Sequence, residues 1–244
     1  LNSFLTHIPW WYTMTVFVII GYFTVGLRFA TITALLLAFI GATGMWMHSM
    51  ITLSSVLVSV LICFVIGVPL GIIASYNKWY REIQNVVLDA MQTLPYFCYL
   101  IPVLMFFGGN IVSAVIATVI YSVPPIIRLT ALGLSQVSGS YSEVSKSFGG
   151  TGIQTLNKVK FPLAVPSLVM GFNQTVIMAF AMQIVTPLIG GKGLGLQVFN
   201  ALQRSDTGRG LSAGLAIVLL AIIIDRISHA WTKKQRIALG LDNN

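Results

Sequence analysis

The chain has 244 residues, of which 56% are hydrophobic and 8% charged, where an ordinary soluble domain carries roughly 25% charged residues. With a mean hydropathy of +0.87, it has more apolar surface than one water-facing domain of this length can bury, so the missing solvent is lipid. Its 14 Lys and Arg outnumber 6 Asp and Glu, but they lie between apolar segments and not in one patch, which argues against nucleic acid as a partner.

A membrane-spanning helix takes about 20 largely apolar residues. Residues 1–27, 29–77, 90–127 and 161–191 contain no Asp, Glu, Lys or Arg. Cutting the chain at turn and interface residues predicts about seven helices, at 9–26, 29–46, 51–76, 84–107, 111–136, 163–188 and 211–231. The expected fold is therefore all-α and polytopic. No basic segment precedes the first apolar stretch, so the start at Leu1 reads as a trimmed or partly ordered N-terminus and not as a signal peptide. Trp10, Trp11 and Tyr12, then Trp46 and His48, then Trp79 and Tyr80 fall at predicted helix ends, where amphipathic rings anchor in the headgroup layer.

Lys78 and Arg81 follow the third helix, Lys146, Lys158 and Lys160 the fifth, and Lys233, Lys234 and Arg236 the last, with Arg28 on the same face. Basic residues are retained in the cytoplasm, which puts the N-terminus outside and the C-terminus inside. The opposite face keeps Lys192, Arg204 and Arg209 beside Asp206. Gly67 with Gly71, and Gly210 with Gly214, have the small-xxx-small spacing of closely packed helices. No internal repeat of interrupted helices marks a secondary transporter. Asp89, Arg128, Asp225 and Arg226 lie within reach of the cytoplasmic interface, where snorkelling and local ion pairing account for them, and no ion pathway is expected.

Enzymatic chemistry is not expected on this chain. Gly190 to Gly193 resembles the tail of a phosphate loop, but Thr186 replaces its first glycine and Gly193 its hydroxyl. A G-x-S-x-G elbow is absent. Cys63 and Cys98 sit in apolar runs without metal-ligand spacing and read as small buried hydrophobes.

The loop 138–162 is the most informative segment. Ser138 or Ser140 can cap a short helix at 141–148 with Glu143 in its first turn, Gly149 ends it, and a second capped helix at 151–160 stops at Pro162. Glu143-Val144-Ser145, Gly149 and Val159-Lys160-Phe161-Pro162 resemble the E-A-A, G, I-x-L-P loop of ATP-binding-cassette importer permeases. The stretches L-D-A-M-Q-T-L-P at 88–95, V-P-P-I-I-R-L-T at 123–130, G-F-N-Q-T at 171–175, I-G-G-K-G-L-G at 189–195 and I-I-I-D-R at 222–226 are similar to the permeases of glycine betaine, proline betaine and choline uptake systems.

That resemblance implies a type I importer permease core at 49–235, a flanking transmembrane hairpin at 1–48 and a cytoplasmic tail at 236–244. It implies a homodimer in the bacterial cytoplasmic membrane, with two ATPase subunits and an extracytoplasmic substrate-binding protein. It gives no cofactor to this chain and Mg-ATP to the ATPase. The loop becomes a coupling helix that docks on the ATPase through Glu143, Ser145, Ser147, Phe148, Gly149, Lys160 and Pro162. Met91, Gln92, Phe97, Tyr121, Asn173, Gln174 and Met178 are expected along the translocation path, the amides hydrating a zwitterion and the aromatic and sulfur surfaces suiting a quaternary ammonium. The cargo class is glycine betaine, proline betaine, choline, carnitine or trimethylamine N-oxide. A passive channel or a non-transport assembly subunit is the alternative, and neither needs a capped Glu, Gly, Pro helix pair on its cytoplasmic face.

Overall fold

The computed structural model describes residues 9–238, and every regular element among them is helical. A hairpin of α1 (Trp10–Thr24) and α2 (Leu27–Ala42) leads into the long α3 (Trp46–Tyr76). Then follow α4 (Lys78–Thr93), α5 (Phe97–Phe107), α6 (Ile111–Ser122) and α7 (Pro124–Gln136). The polar loop contains α8 (Gly139–Ser147) and α9 (Gly152–Thr155), and α10 (Phe161–Met182), α11 (Leu194–Arg204) and α12 (Thr207–Ala238) complete the chain. Four stretches among the described residues are long and apolar enough to cross a membrane, namely Trp46–Tyr76, Ile111–Gln136, Gly152–Met182 and Thr207–Ala230. α4 and α5 are apolar enough only when taken together and bend sharply at their break, as a broken span or a re-entrant loop does, and α1 and α2 are shorter apolar helices. The end of the expected tail 236–244 lies outside the described residues.

α7 is the central helix, packed between α3 and α10. Its approach to α3 depends on missing side chains: a Cβ added at Gly67 would stand 2.5 Å from Ile126 Cγ2, and one at Gly71 would stand 2.7 Å from the Ile127 carbonyl oxygen. Small residues at a crossing let backbones meet where lipid supplies no hydrophobic drive. The expected second crossing is corrected, because Gly214 faces open space while Gly210 meets Ala201. α10 comes closest to α7 where Ser167 lies against Gly133 and Gly171 against Ile126 and Leu129.

Apolar packing falls into three clusters. Leu53, Val56, Phe180 and Leu220 belong to a core of α2, α3, α10, α11 and α12, Cys63, Leu88, Ile127 and Leu168 join α3, α4, α7 and α10, and Tyr99, Val103, Ala117 and Met182 join α5, α6 and the end of α10. Between the hairpin and the core runs an apolar groove of about 680 Å³ whose walls include Phe17, Phe64, Val165 and Ile224.

Several expectations need correction. The helix expected at 84–107 is broken into α4 and α5, which meet at 98°. Leu94 is extended (φ −67°, ψ 131°), the conformation that a following proline imposes. Pro95 has no N–H for the Met91 carbonyl four residues earlier, and the Tyr99 hydroxyl donates to that carbonyl instead. Pro162 does not stop the preceding helix: a π turn at Leu156–Lys160 carries the chain directly into α10. Phe161 N–H already bonds to Leu156 there, five residues back, so the four-residue register that a proline disrupts is not in use. α10 ends at Met182 and not at 188, because the chain turns through Gln183, whose buried amide donates to Thr118 at 3.3 Å, into a 3₁₀ turn at Thr186–Ile189. Cys63 is buried as expected, but Cys98 is exposed.

Candidate coupling loop and translocation path

The loop between α7 and α10 is a compact unit. α8 starts at Gly139, so Glu143 falls just past the first turn, a correction to the expected capping geometry that weakens its interaction with the helix dipole. Gly149 closes the helix at φ +77°, which lets Gly150 N–H reach the Ser145 carbonyl at 2.9 Å, a closure that favours glycine. Ser147 donates to the Glu143 carbonyl at 3.0 Å. Thr151 and Gln154 form a reciprocal capping box that starts α9. The Ser145 and Thr155 hydroxyls share a hydrogen bond of 2.8 Å that ties the two short helices together.

This unit presents Glu143, Val144 and Ile153 to the outside, and Phe148 is 88% exposed. An apolar ring so exposed buries almost no surface against its own chain. Lys160 turns inward: its Nζ lies 4.9 Å from the centre of the Tyr76 ring, a cation–π contact that fixes the loop to the end of α3. Pro162 is half-buried where the π turn enters α10.

The expected path residues divide into two groups. Around the α4–α5 bend, Met91 accepts the Tyr99 hydroxyl on its carbonyl, and exposed Gln92 follows it. Phe97 packs on Tyr96 with ring centres 4.7 Å apart, and Tyr121 from α6 lies 6.4 Å from Tyr96 and 6.1 Å from Tyr99. On α10, Asn173 is buried and neither amide atom has a hydrogen-bond partner. Gln174 is exposed and Met178 half-buried, so the two amides face different surroundings. Sequence reasoning missed Tyr96 and Tyr99, although their spacing of three along a helix after a proline was the available signal.

Two further sets of polar contacts hold the ends of the bundle. Asp89 on α4 and Arg128 on α7 pair at 2.5 Å, with side chains 63% and 37% exposed. At the other end, Arg209 Nε donates to Gln197 Oε1 at 2.9 Å, and Gln197 Nε2 lies 3.3 Å from His48 Nδ1. These contacts join α12, α11 and α3, and make His48 a bridging residue and not only the expected interface anchor.

Residues 67–237 match the family described as the binding-protein-dependent transport system inner membrane component. The chain belongs to this family. Over 212 residues it is 43% identical to the glycine betaine/proline betaine transport system permease protein ProW of Escherichia coli (strain K12), a match covering 87% of this chain and 59% of that protein. Over 213 residues it is 41% identical to the glycine betaine transport system permease protein OpuAB of Bacillus subtilis (strain 168), covering 87% of this chain and 75% of that one. The chain thus spans about three-fifths of the length of ProW. A solved inward-facing structure of the MetNI methionine ABC transporter has the same fold, with a TM-score of 0.69 at 21% identity, over 76% of this chain and 93% of its own. The type I importer permease architecture expected from the sequence is therefore the one observed.

Proposed function

We propose that this chain is the membrane-spanning subunit of an ATP-driven importer, and that its cargo is a small quaternary amine or related osmolyte of the glycine betaine, proline betaine, choline or trimethylamine N-oxide class. The observation that carries the importer reading is the loop at 138–162: two capped helices bonded to each other, fixed to α3 through Lys160 and Tyr76, continuous with α10 and offering Phe148 outward. A headgroup-bound interfacial helix needs none of these internal ties. The cargo class is supported by the names of the similar permeases and by the aromatic residues around the α4–α5 bend.

In this reading two copies of the chain form the path in the cytoplasmic membrane, with the N-terminus outside and the C-terminus inside. A separate ATPase binds Mg-ATP and receives Phe148 in a groove, Glu143 supplies charge there, and Gly149 permits close approach. Ser145, Ser147 and Pro162 keep the loop's shape, and Lys160 anchors it. An extracytoplasmic binding protein delivers the cargo. Residues 49–235 form the transport core and the hairpin flanks it.

The test is reconstitution in proteoliposomes with the cognate ATPase and binding protein. Glycine betaine uptake is expected to require ATP and all three components, and the chain alone is expected to hydrolyse none. Uptake by the chain alone under a sodium or proton gradient would overturn the reading.

A further inference from the structure

Tyrosines of membrane proteins concentrate in the headgroup layer, where the ring is half in lipid and the hydroxyl is wet. The tyrosines at the α4–α5 bend are elsewhere. Tyr121 is the eleventh residue of the 26-residue apolar stretch Ile111–Gln136, about 15 Å along the helix from its start and so near the middle of a hydrocarbon layer about 30 Å thick. Tyr99 on α5 lies beside it at 6.1 Å and is buried, and Tyr96, at the break, stands 6.4 Å away. Tyr96 is 42% exposed and Tyr121 half-buried, so the cluster is open on one side. Polar hydroxyls at this depth are costly against lipid tails, and they persist where they line a protein or water-filled path.

The chemistry of the cluster is selective. Residues 90–127 contain no charged group, and the nearest acid before them, Asp89, is held by Arg128 at 2.5 Å. A cation arriving here meets no carboxylate that would trap it. Ring faces remain at Tyr96 and Tyr121, and their 6.4 Å spacing allows one cation to stand within about 6 Å of both ring centres, the range of a cation–π contact. The Tyr96 and Tyr121 planes are inclined at 85° and those of Tyr99 and Tyr121 at 63°, so the rings are not stacked on one another. Metal cations and primary amines keep their water or need acceptors, and a quaternary ammonium needs neither.

We propose that Tyr96, Tyr99 and Tyr121 form an intramembrane waystation that holds the quaternary ammonium group of the cargo between release from the binding protein and exit. The assignment to cargo rests on the importer reading above, and the ligand chemistry rests on the rings alone. Tyr121 contributes the central face, and Tyr96 the open wall. Tyr99 is a positioning residue, held by its bond to the Met91 carbonyl.

The test uses the purified permease–ATPase complex in lipid nanodiscs without binding protein, with tetramethylammonium as the probe and saturation-transfer NMR as the readout. Wild type and Tyr121→Phe are expected to bind the probe saturably. Tyr121→Leu and Tyr96→Leu are expected to bind it about tenfold more weakly, the loss of one good cation–π contact. The uncharged isostere 3,3-dimethylbutan-1-ol is expected not to compete, and this comparison needs only wild type, so it decides even if a Leu variant fails to assemble. No saturable binding to wild type, unchanged binding in both Leu variants, or equal competition by the isostere would overturn the site. Probe binding in a complex that takes up no quaternary amine would leave the site standing and overturn the importer reading for this cargo.

Discussion

An added Cβ at Gly71 would meet the Ile127 carbonyl oxygen at 2.7 Å and Thr130 Cβ at 2.6 Å. Because one obstacle is backbone, Gly71→Val has to push α3 away from α7, at a cost of about 1–3 kcal/mol or more. Gly214→Val, with open space around it, is expected to stay within about 0.5 kcal/mol, and thermal unfolding in detergent separates the two. In the loop, Gly149→Trp places a bulky L residue at φ +77°, and Glu143→Lys reverses an exposed charge on α8. Both are expected to lower transport per ATP severalfold while the bundle stays folded. ATPase co-purification and substrate-stimulated hydrolysis equal to wild type in both variants would refute the coupling role. Asp89 and Arg128 pair closely but with half-open side chains, so a double-mutant cycle of Asp89→Asn with Arg128→Gln should return a coupling energy of about 0.2–1 kcal/mol.

At the scale of elements, hydropathy located the apolar helices but could not see how they bend. Pro69, Pro102 and Pro166 all lie inside helices, so Pro95 carried no decisive signal by itself. What distinguishes it is the change of character across it, from an amphipathic α4 with Lys78, Arg81, Glu82 and Asp89 to an apolar α5. α11 was missed because Leu194 and Ala201 are buried on one face of a segment too short and polar for a span. In the candidate site, Phe97 and Tyr121 stand out by residue type alone, whereas the distances of Tyr96 and Tyr99 from Tyr121, 6.4 and 6.1 Å, belong to the region where α4 and α5 meet at 98°. The bend itself is testable: Pro95→Ala restores an N–H that competes with Tyr99 for the Met91 carbonyl. Spin labels at the exposed positions Ile83 and Met105 are expected to move apart as the helices straighten. An unchanged distance would mean that packing, and not proline, sets the angle.

For the whole molecule, two polar ties mark opposite ends of the bundle, Lys160 on Tyr76 at one and His48, Gln197 and Arg209 at the other. The excess of basic residues at the first end makes it cytoplasmic in the proposed orientation. Single cysteines replacing Lys146 and Lys234 are then expected to react with impermeant reagents only from inside, and one replacing Arg204 only from outside. Labelling of position 146 from outside would invert the arrangement. The unbroken path from Gly152 to Met182 has a mechanical consequence. Its tightest seat on α7 is at Ser167 and Gly171, about 25 Å from one end and 20 Å from the other by helical rise. A stiff rod pinned between its ends works as a seesaw, so each degree of tilt shifts the Gly152 end by about 0.4 Å and the Met182 end by about 0.3 Å in the opposite sense. One stroke delivered at the loop would thus widen one mouth of the bundle while narrowing the other, with the gear ratio set by where two glycines let the helices touch.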